Sequence, residues 1–391
     1  MPLPHLPLRN PPIASQAGQE RTILSPNHTS LRDIETPALV VDAAALQRNI
    51  EGMAAWAKQA CIALRPHAKT HKSAQIAGFQ KRAGATGIAC ATVAEAELLA
   101  SSGIEGILLT APQMGEGRFA RISKINSAHD IAIVVDHVRQ VEGLAASVGR
   151  GDKALSVLVD VDVGHARTGI ADIGEGVRLA QSIAASSRLE FAGIQGFAGH
   201  AQHMPRPDER NAAADKAADI LRGFATSLSE AGLACRLISG SGTGTYRRDA
   251  AGPYNELQVG SYVFMDSDYA RIVDEKGAGP SFEPSLFVLA TVVSVNRPGQ
   301  VTVDAGSKAL ATNGPPPCSF VGTPKGSSYR FAGDEHGIIS IPAGQGQPAL
   351  GDRMLIGATH CDPTVNLHGR YHVVDAAGHV EIWPIGARYG A

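Results

Sequence analysis

The chain has 391 residues, of which 44% are hydrophobic and 18% are charged, and its formal net charge is −2. This composition is typical of an ordinary globular protein with room for a barrel-sized domain and a second, smaller one. The near-neutral charge argues against an electrostatic interface with nucleic acid or an anionic membrane, and no stretch approaches the roughly 20 consecutive apolar residues of a membrane span.

The first 30 residues are rich in proline and lack a continuous apolar segment. They predict a flexible arm over residues 1–30 rather than a signal peptide. The five cysteines are odd in number and scattered without a framework. Free thiols in a reducing compartment fit this usage, so we expect a cytoplasmic protein.

From about residue 37, short apolar runs alternate with Ala-rich amphipathic stretches. The runs have the length and flanks of buried parallel strands. They fall at Ala38–Val41, Cys61–Leu64, Gly87–Ala91, Gly106–Leu109, Ile131–Val135, Leu155–Val159, Phe191–Phe197 and Cys235–Ile238. Asp42 suits the N-cap of one intervening helix, and Thr92 to Glu95 predicts a capping box in another. This rhythm predicts a TIM-type (β/α)8 barrel over residues 31–278, with a doubly wound open sheet as the alternative.

After about residue 280 the pattern changes to short, partly alternating runs separated by Gly and Pro turns. Such runs are typical of antiparallel strands. They fall at Ser285–Asn296, Val301–Ala305, Gly337–Ile341, Arg353–Gly357, Tyr371–Asp375 and His379–Trp383. We therefore predict a C-terminal antiparallel β domain over residues 279–391.

A basic segment follows the second predicted strand, where Lys69 is flanked by Arg65, His67, His71 and Lys72. The C-terminal ends of barrel strands form the active-site face. Neighbouring positive charge would lower the pKa of Lys69 and favour the free amine that imine chemistry needs. The spacing alone, however, favours a basic surface loop over a reactive lysine.

Two further motifs have residues that could bind a charged ligand. The turn Gly240–Thr245 follows a strand, and glycines there let backbone N–H groups approach a phosphate, although most Gly-rich turns are only turns. His360 and Asp362 are two residues apart, so in an extended segment they would project to one side while Cys361 points away. Imidazole and carboxylate suit Mn²⁺, Mg²⁺ or Zn²⁺, although such a pair more often lies in a plain surface loop.

The motifs, taken in order, resemble those of a known enzyme family. The family is that of D-threonine aldolase and D-serine dehydratase, which are alanine-racemase-like (fold-type III) enzymes that use pyridoxal 5'-phosphate (PLP). The resemblance rests on Thr36–Asp42, Pro66–Lys72, Val161–Gly169, Gln202–His203, Gly240–Thr245, Gly260–Asp266, Asp334–Gly337 and His360–Thr364.

The resemblance implies a PLP site in which Lys69 carries the cofactor as a Schiff base, and we expect His67 in the same motif to contact it. Arg167 would face the pyridine nitrogen, although an ion pair with Asp160 or Asp162 is the other interpretation. Because arginine does not give up a proton, that nitrogen would stay unprotonated. The resemblance places the phosphate at Gly242, Thr243, Gly244, Gly260 and Ser261.

The resemblance also implies that His360 and Asp362 bind a divalent metal ion, with His203 as the base that removes a substrate proton. A structural, hydrogen-bonded role is the other interpretation of His203, and His200 is a nearby competitor. The dehydratases of the family carry Cys where Asp362 stands, so Asp362 favours an aldolase. Phe197 departs from the aldolases, which have Tyr there.

The predicted function is therefore cleavage of a β-hydroxy-D-amino acid, of the D-threonine or 3-hydroxy-D-aspartate type, to glycine and an aldehyde. The alternative is a D-serine or 3-hydroxy-D-aspartate dehydratase that releases ammonia and a 2-keto acid. An alanine racemase would not need the metal pair, and a non-catalytic PLP-binding protein is a weaker alternative. The resemblance implies a homodimer in which each β domain covers the partner's barrel mouth, with Asp334–Gly337 near that junction.

Overall fold

The computed structural model describes residues 24–26, 29–279 and 281–388. Most of the predicted arm over residues 1–30 lies outside these ranges. Within them, no helix combines the length and apolar character that a membrane span requires.

The described chain starts with a short helix, α1 (Thr29–Arg32), and a fully buried strand, β1 (Ala38–Asp42). Asp42 then caps helix α2 (Ala43–Gln59) by accepting a 2.9 Å hydrogen bond from the N–H of Ala45. This confirms the predicted N-cap, in which a carboxylate satisfies one of the free N–H groups of a helix start.

Eight parallel strands form one curled sheet in the order β2-β9-β8-β7-β6-β5-β4-β3. A parallel bridge between His67 and Ala89 joins its two ends, so the sheet closes into the predicted barrel and the open-sheet alternative is wrong. The strands are β2 (Ala63–Leu64), β3 (Ile88–Cys90), β4 (Ile107–Leu109), β5 (Ile131–Val135), β6 (Leu155–Asp160), β7 (Leu189–Gly196), β8 (Leu237–Gly240) and β9 (Glu256–Leu257).

Helices alternate with these strands along the chain. Thr92 and Glu95 form the predicted capping box at the start of α4. Helix α5 was not predicted; it starts after Gly115 without a side-chain cap. The helices are α3 (Ala74–Arg82), α4 (Val93–Ser101), α5 (Glu116–Asn126), α6 (Val138–Ser147), α7 (Ile173–Ala184), α8 (Pro207–Glu230) and α9 (Tyr246–Asp249). Shorter 3-10 turns lie at Ala68–Thr70, Gly199–Ala201, Ser261–Val263 and Tyr269–Arg271.

The second sheet has nine strands, with the main order β13-β14-β11-β10-β1-β16-β17, and β15 paired with β10 and β12. All its pairs are antiparallel except that of β1 with β16. This confirms the predicted antiparallel β domain. Its elements are β10 (Leu286–Arg297), β11 (Gln300–Val303), β12 (Phe320–Val321), β13 (Ser328–Phe331), β14 (Gly337–Ser340), β15 (Arg353–Gly357), α10 (Cys361–Leu367), β16 (Arg370–Val374) and β17 (Val380–Pro384).

One strand lies in a different sheet from the one expected. The run Ala38–Val41 was predicted as a barrel strand, but β1 pairs antiparallel with β10 and parallel with β16 in the second sheet. The eighth barrel strand is instead β9 (Glu256–Leu257), between β8 and β2. A run that is buried on both faces suits the core of either sheet, whereas two residues flanked by Asn255 and Gln258 give no apolar pattern.

Helix α10 extends from the second sheet to the barrel. Ser267, ten residues after the last barrel strand, donates its N–H to the carbonyl of Ala358 at 3.0 Å. Asp266 accepts the N–H of Cys361 at 2.9 Å. Because these contacts fix the start of α10, the His360 segment lies at the C-terminal ends of the barrel strands, where barrel enzymes carry their active sites.

Candidate active site

Lys69 lies in the 3-10 turn Ala68–Thr70 that follows β2, and its N–H donates to Nδ1 of His67 at 3.3 Å. Its side chain is 37% exposed, and Nζ lies 3.9 Å from Oδ2 of Asp362. The amine also lies 5.5 Å from the ring centroid of Phe197. A reachable amine of the barrel thus lies beside a carboxylate that the second sheet supplies.

The two other cations of the lysine motif are already paired. Arg65 Nε lies 2.8 Å from Oε1 of Glu256 in the barrel interior. Lys72 forms a buried ion pair with Glu95 of the α4 capping box. Both charges are therefore offset by carboxylates.

The two histidines of the motif are neutral. Burial lowers the pKa of His67 well below its ordinary value, with the charge of Lys69 as the next cause, and burial lowers the pKa of His71 to about 4. His67 Nε2 lies 3.0 Å from Oγ1 of Thr110. The expectation that Lys69 lies within a ring of positive charge is therefore wrong, because two members are paired and two are uncharged.

Arg167 lies on a tightly held loop after β6. Asp162 accepts the N–H groups of residues 164–166 at 2.9, 2.9 and 3.0 Å, and Asp160 accepts the hydroxyl of Thr168 at 2.8 Å. Within the described ranges neither carboxylate forms an ion pair with Arg167. The guanidinium carbon lies 5.5 Å from the ring centroid of Phe197 instead.

Phe197 therefore lies between two cations at the mouth of the barrel, the end formed by the C-terminal ends of its strands. These cations are Lys69 and Arg167, each at 5.5 Å from the centroid of the Phe197 ring. The ring is also edge-on to His165 at 6.3 Å. An aromatic face attracts cations without a hydroxyl. The position offers packing and a cation-π contact but no hydrogen bond.

The Gly-rich turn offers donors for an anion. The N–H groups of Gly242, Thr243 and Ser261 donate to no group among the described residues. A Cβ on Gly260 would lie 2.7 Å from Oγ1 of Thr70, so the wall of this turn is closed to a side chain. Free N–H groups at a glycine-lined turn fit a phosphate, and this is the observation that fits PLP to the site.

Gly244 differs from the other predicted phosphate residues. Its N–H donates to Oε1 of Gln202 at 3.0 Å, and Gln202 also donates to Oγ1 of Thr245 at 2.8 Å. Gly244 therefore lets the turn pack on Gln202 rather than offering its N–H to a ligand. The sequence motif grouped Gln202 with His203 and gave no sign of this contact.

His203 follows the 3-10 turn Gly199–Ala201. Its Nδ1 lies 3.1 Å from Oδ2 of Asp268, and its ring centroid lies 4.6 Å from that of Tyr269 and 6.1 Å from that of His360. Burial lowers the pKa of His203 below its ordinary value, and the Asp268 carboxylate opposes this shift. A neutral imidazole is the form that accepts a proton. His200, the competing candidate, stacks on His165 at 5.7 Å instead.

The metal pair has a different backbone from the one expected. His360 is extended, but Cys361 starts α10, so Asp362 lies in the first turn of a helix and the predicted extended segment is wrong. Asp266 accepts the N–H of Cys361, and Pro363 in the first turn needs no N–H partner. Both features favour a helix start at this place.

Burial also raises the pKa of the Cys361 thiol well above its ordinary value, so this thiol stays protonated beside Asp362. The Asn313 amide lies 3.1 Å from Nδ1 of His360, which leaves Nε2 as the ring atom for a metal ion. Among the described residues no cluster of three or more His, Cys, Asp or Glu side chains has the geometry of a metal site. His360 and Asp362 suit an open site that water or substrate completes.

Asp266, Asp268 and Tyr269 are site residues that the sequence did not predict. Asp266 ends a quoted motif, and the other two follow it within three residues. The sequence offered only their nearness to that motif as a sign of function. What distinguishes these residues is their contact with His203 and α10, which the sequence does not show.

Two family profiles match the chain over most of its length. The first, described as "Alanine racemase, N-terminal domain", covers residues 41–268. The second, described as "Putative serine dehydratase domain", covers residues 285–374.

Individual relatives are similar along nearly the whole chain. D-threonine aldolase from Arthrobacter sp is 39% identical, over 92% of this chain and 94% of the relative. The chain belongs to the alanine racemase-like family that includes the D-threonine aldolases. A 3-hydroxy-D-aspartate aldolase of this family, from Paracoccus denitrificans (strain Pd 1222), is 34% identical over 91% of this chain and 92% of the relative. The crystal structure of D-threonine aldolase from Filomicrobium marinum superposes with a TM-score of 0.85 at 38% identity, covering 91% of this chain and 95% of that one.

Proposed function

We propose that the protein is a PLP- and divalent-metal-dependent aldolase that cleaves a β-hydroxy-D-amino acid to glycine and an aldehyde. The observation that carries the proposal is the 3.9 Å approach of Lys69 Nζ to Oδ2 of Asp362. This contact joins the proposed cofactor lysine of the barrel to Asp362 of α10, the proposed metal ligand, and His203 lies beside His360. The similarity to D-threonine aldolase over the whole length supports the same reaction.

Lys69 holds the cofactor covalently in this proposal, and Gly242, Thr243 and Ser261 hold its phosphate through their free N–H groups. The bound cofactor supplies an electron sink for the charge left on the substrate Cα. We assign Arg167 to the pyridine nitrogen. Because arginine keeps its protons, the ring is a weaker electron sink and the reaction needs further stabilisation from the protein side.

His360, through Nε2, and Asp362 would hold the metal ion, with Mn²⁺, Mg²⁺ or Zn²⁺ as the fitting ions. A metal ion held there would supply positive charge that favours loss of the proton from a substrate hydroxyl. His203 accepts the hydroxyl proton, the Cα–Cβ bond breaks, and the hydroxyl-bearing carbon leaves as the aldehyde. Cα then takes up a proton to give glycine, which balances the proton that His203 accepted. The burial that lowers the pKa of His203 keeps it ready to accept that proton.

A dehydratase is the second candidate, because the profile over residues 285–374 is that of a putative serine dehydratase domain. The same residues would then assist loss of the β-hydroxyl as water. The two reactions differ in their products. An aldolase gives glycine and an aldehyde, and a dehydratase gives ammonia and a 2-keto acid.

The test is to load the protein with PLP and Mn²⁺, add D-threonine or 3-hydroxy-D-aspartate, and assay glycine and ammonia in the same reaction. Glycine that disappears in Lys69→Ala supports the proposal. Ammonia without glycine assigns a dehydratase instead. Neither product from any β-hydroxy-D-amino acid, with the cofactor bound, favours the non-catalytic PLP-binding alternative.

We propose a cytoplasmic homodimer in which the β domain (279–391) covers the partner's barrel mouth (31–278). Asp334 and Glu335 at the proposed junction are exposed, and Glu335 contacts Lys308 at 2.5 Å. A mass measurement in solution, repeated with both carboxylates replaced by amides, tests this arrangement.

A further inference from the structure

The imidazole of His203 is held on two sides. Asp268 Oδ2 lies 3.1 Å from Nδ1, and the ring of Tyr269 packs against the imidazole at 4.6 Å. The His203 side chain is still 35% exposed, whereas that of Asp268 is 15% exposed. Nδ1 of the imidazole therefore faces a carboxylate, while another part of the ring remains open to the mouth.

Nδ1 of His203 is buried and has no aligned hydrogen bond among the described residues, although Asp268 Oδ2 lies within hydrogen-bond distance. A small rotation of the ring would align the N–H with this oxygen. Hydrogen bonds of catalytic groups are often poorly aligned without substrate and tighten when it binds. The distance thus marks Asp268 as the partner that Nδ1 takes when the site is filled.

Asp268 is itself fixed in place. Its N–H donates to Oδ1 of Asp266 at 3.1 Å, and its own Oδ1 accepts from Arg271 at 2.6 Å. Only Oδ2 is left to face His203. Asp266 also accepts the N–H of Cys361 at 2.9 Å, so one buried carboxylate holds both Asp268 and the start of α10.

We propose that Asp268 is the positioning residue that keeps the proton of His203 on Nδ1, so that Nε2 is free to accept the substrate hydroxyl proton. A neutral imidazole carries one N–H, and an ionised carboxylate only accepts hydrogen bonds, so it selects the Nδ1–H form. The proton then moves from the hydroxyl oxygen to Nε2, and the imidazolium that results lies beside the Asp268 carboxylate. This inference rests on the proposed function, in which His203 is the base.

The first test is Asp268→Asn, which keeps the size but removes the charge and presents an N–H to Nδ1. We expect kcat to fall by roughly 100-fold or more, since the imidazole then holds its proton on the wrong nitrogen. KM and the Mn²⁺ concentration for half-activation should stay within about threefold. The matched control is Asp130→Asn, which breaks an exposed carboxylate–Lys153 pair at the N-terminal end of β5, the end opposite the mouth, and should keep full activity. A kcat within twofold of the wild type for Asp268→Asn would overturn the proposal.

A double-mutant cycle separates positioning from an independent role. If Asp268 acts through His203, adding Asp268→Asn to His203→Ala lowers kcat no further. Two losses that multiply would mean that Asp268 acts by another route. The cycle is run on whichever product the wild type releases, glycine or ammonia.

A readout without turnover keeps this inference separate from the proposed function. Nitrogen-15 NMR of the histidine side chains, with His203→Gln to assign the signal, reports which ring nitrogen carries the proton. We expect Nδ1–H in the PLP-loaded wild type and a shift toward Nε2–H in Asp268→Asn. The same tautomer in both proteins would contradict the role of Asp268. The expected shift in a protein that forms no glycine would contradict the aldolase proposal alone.

Discussion

Two lysines of one motif, three residues apart, lie in opposite surroundings. Lys69 is 37% exposed at the mouth and lies 3.9 Å from a carboxylate of another domain. Lys72 is 8% exposed and forms a buried ion pair with Glu95. The positive φ of 47° at Lys72 marks a turn of the backbone between the two amines. The motif thus supplies one reachable amine for chemistry and one buried amine for stability.

The regions around the two lysines differ in the same way. The mouth, defined by Lys69, His203, His360 and Asp362, holds side chains that remain open to a ligand. The polar interior, defined by Lys72–Glu95, Arg65–Glu256 and Asp160–Gln195, holds groups that the protein itself satisfies. Changes at the mouth should therefore alter activity with little loss of stability, and changes in the polar interior should do the reverse.

The largest expected effect is that of Lys69→Ala. It should abolish the visible absorption band of the lysine-bound cofactor and lower kcat by roughly 10⁴-fold, because it removes one member of a catalytic unit. The urea midpoint should stay unchanged. Lys58→Ala on the exposed face of α2 is the control. If the absorption band of the lysine-bound cofactor persists in Lys69→Ala, the assignment of Lys69 as the cofactor lysine is contradicted.

The second effect is that of the metal pair. Asp362→Asn should raise the Mn²⁺ concentration for half-activation by roughly 10–100-fold, since a neutral amide is a weaker ligand than a carboxylate. Chelation of the wild type should give the same loss, reversed by added Mn²⁺, with the cofactor band retained. Asp375→Asn, in the same domain and paired with His379, is the control. Activity that survives exhaustive chelation would contradict a role for the metal ion in the reaction.

The third effect is on stability. Lys72→Met leaves Glu95 buried without its cation and should lower the free energy of unfolding by about 3 kcal/mol. Lys153→Met breaks an exposed pair with Asp130 and should leave the urea midpoint unchanged. Equal losses from the two variants would contradict the distinction between a buried and an exposed ion pair.

The smallest effect depends on pH. Burial raises the pKa of Asp160 to about 6 from an ordinary value of 3.8. Because the folded-state pKa is the higher one, the folded protein binds this proton first as the pH falls. The contribution of Asp160 to stability is therefore greatest below about pH 4 and is lost as the pH rises through about 6.

Asp160→Asn should remove this pH dependence. In urea unfolding, the free energy of unfolding of the wild type should rise relative to that of Asp160→Asn as the pH is lowered from 7 to 4. The expected rise is on the order of 1–3 kcal/mol. The amide can still accept from Gln195, and the Thr168 hydroxyl can turn to accept from it. A constant difference between the two proteins across this range would contradict the raised pKa.

Much of this architecture could be predicted because its signals are local. The capping box at Thr92 and Glu95 and the N-cap at Asp42 depend on residues three apart, and the structure has both. The alternation of apolar runs and amphipathic stretches likewise predicted the barrel. The sheet that β1 joins could not be read in this way, because a fully apolar run suits the core of either sheet.

The site shows the same limit. The sequence identified Glu95 as a capping residue, but its second role, as the partner of Lys72, joins residues 23 positions apart. Asp268 reaches His203 across an even longer stretch of chain. The helical backbone at Asp362 depends on Asp266, nearly a hundred residues earlier. Such pairings arise from the fold, so no local pattern records them.

The most direct test of the central claim is a product balance. The purified protein, loaded with PLP and Mn²⁺ and given a β-hydroxy-D-amino acid, should release glycine and aldehyde in equal amounts and no ammonia. Ammonia and a 2-keto acid in equal amounts, without glycine, would contradict the claim.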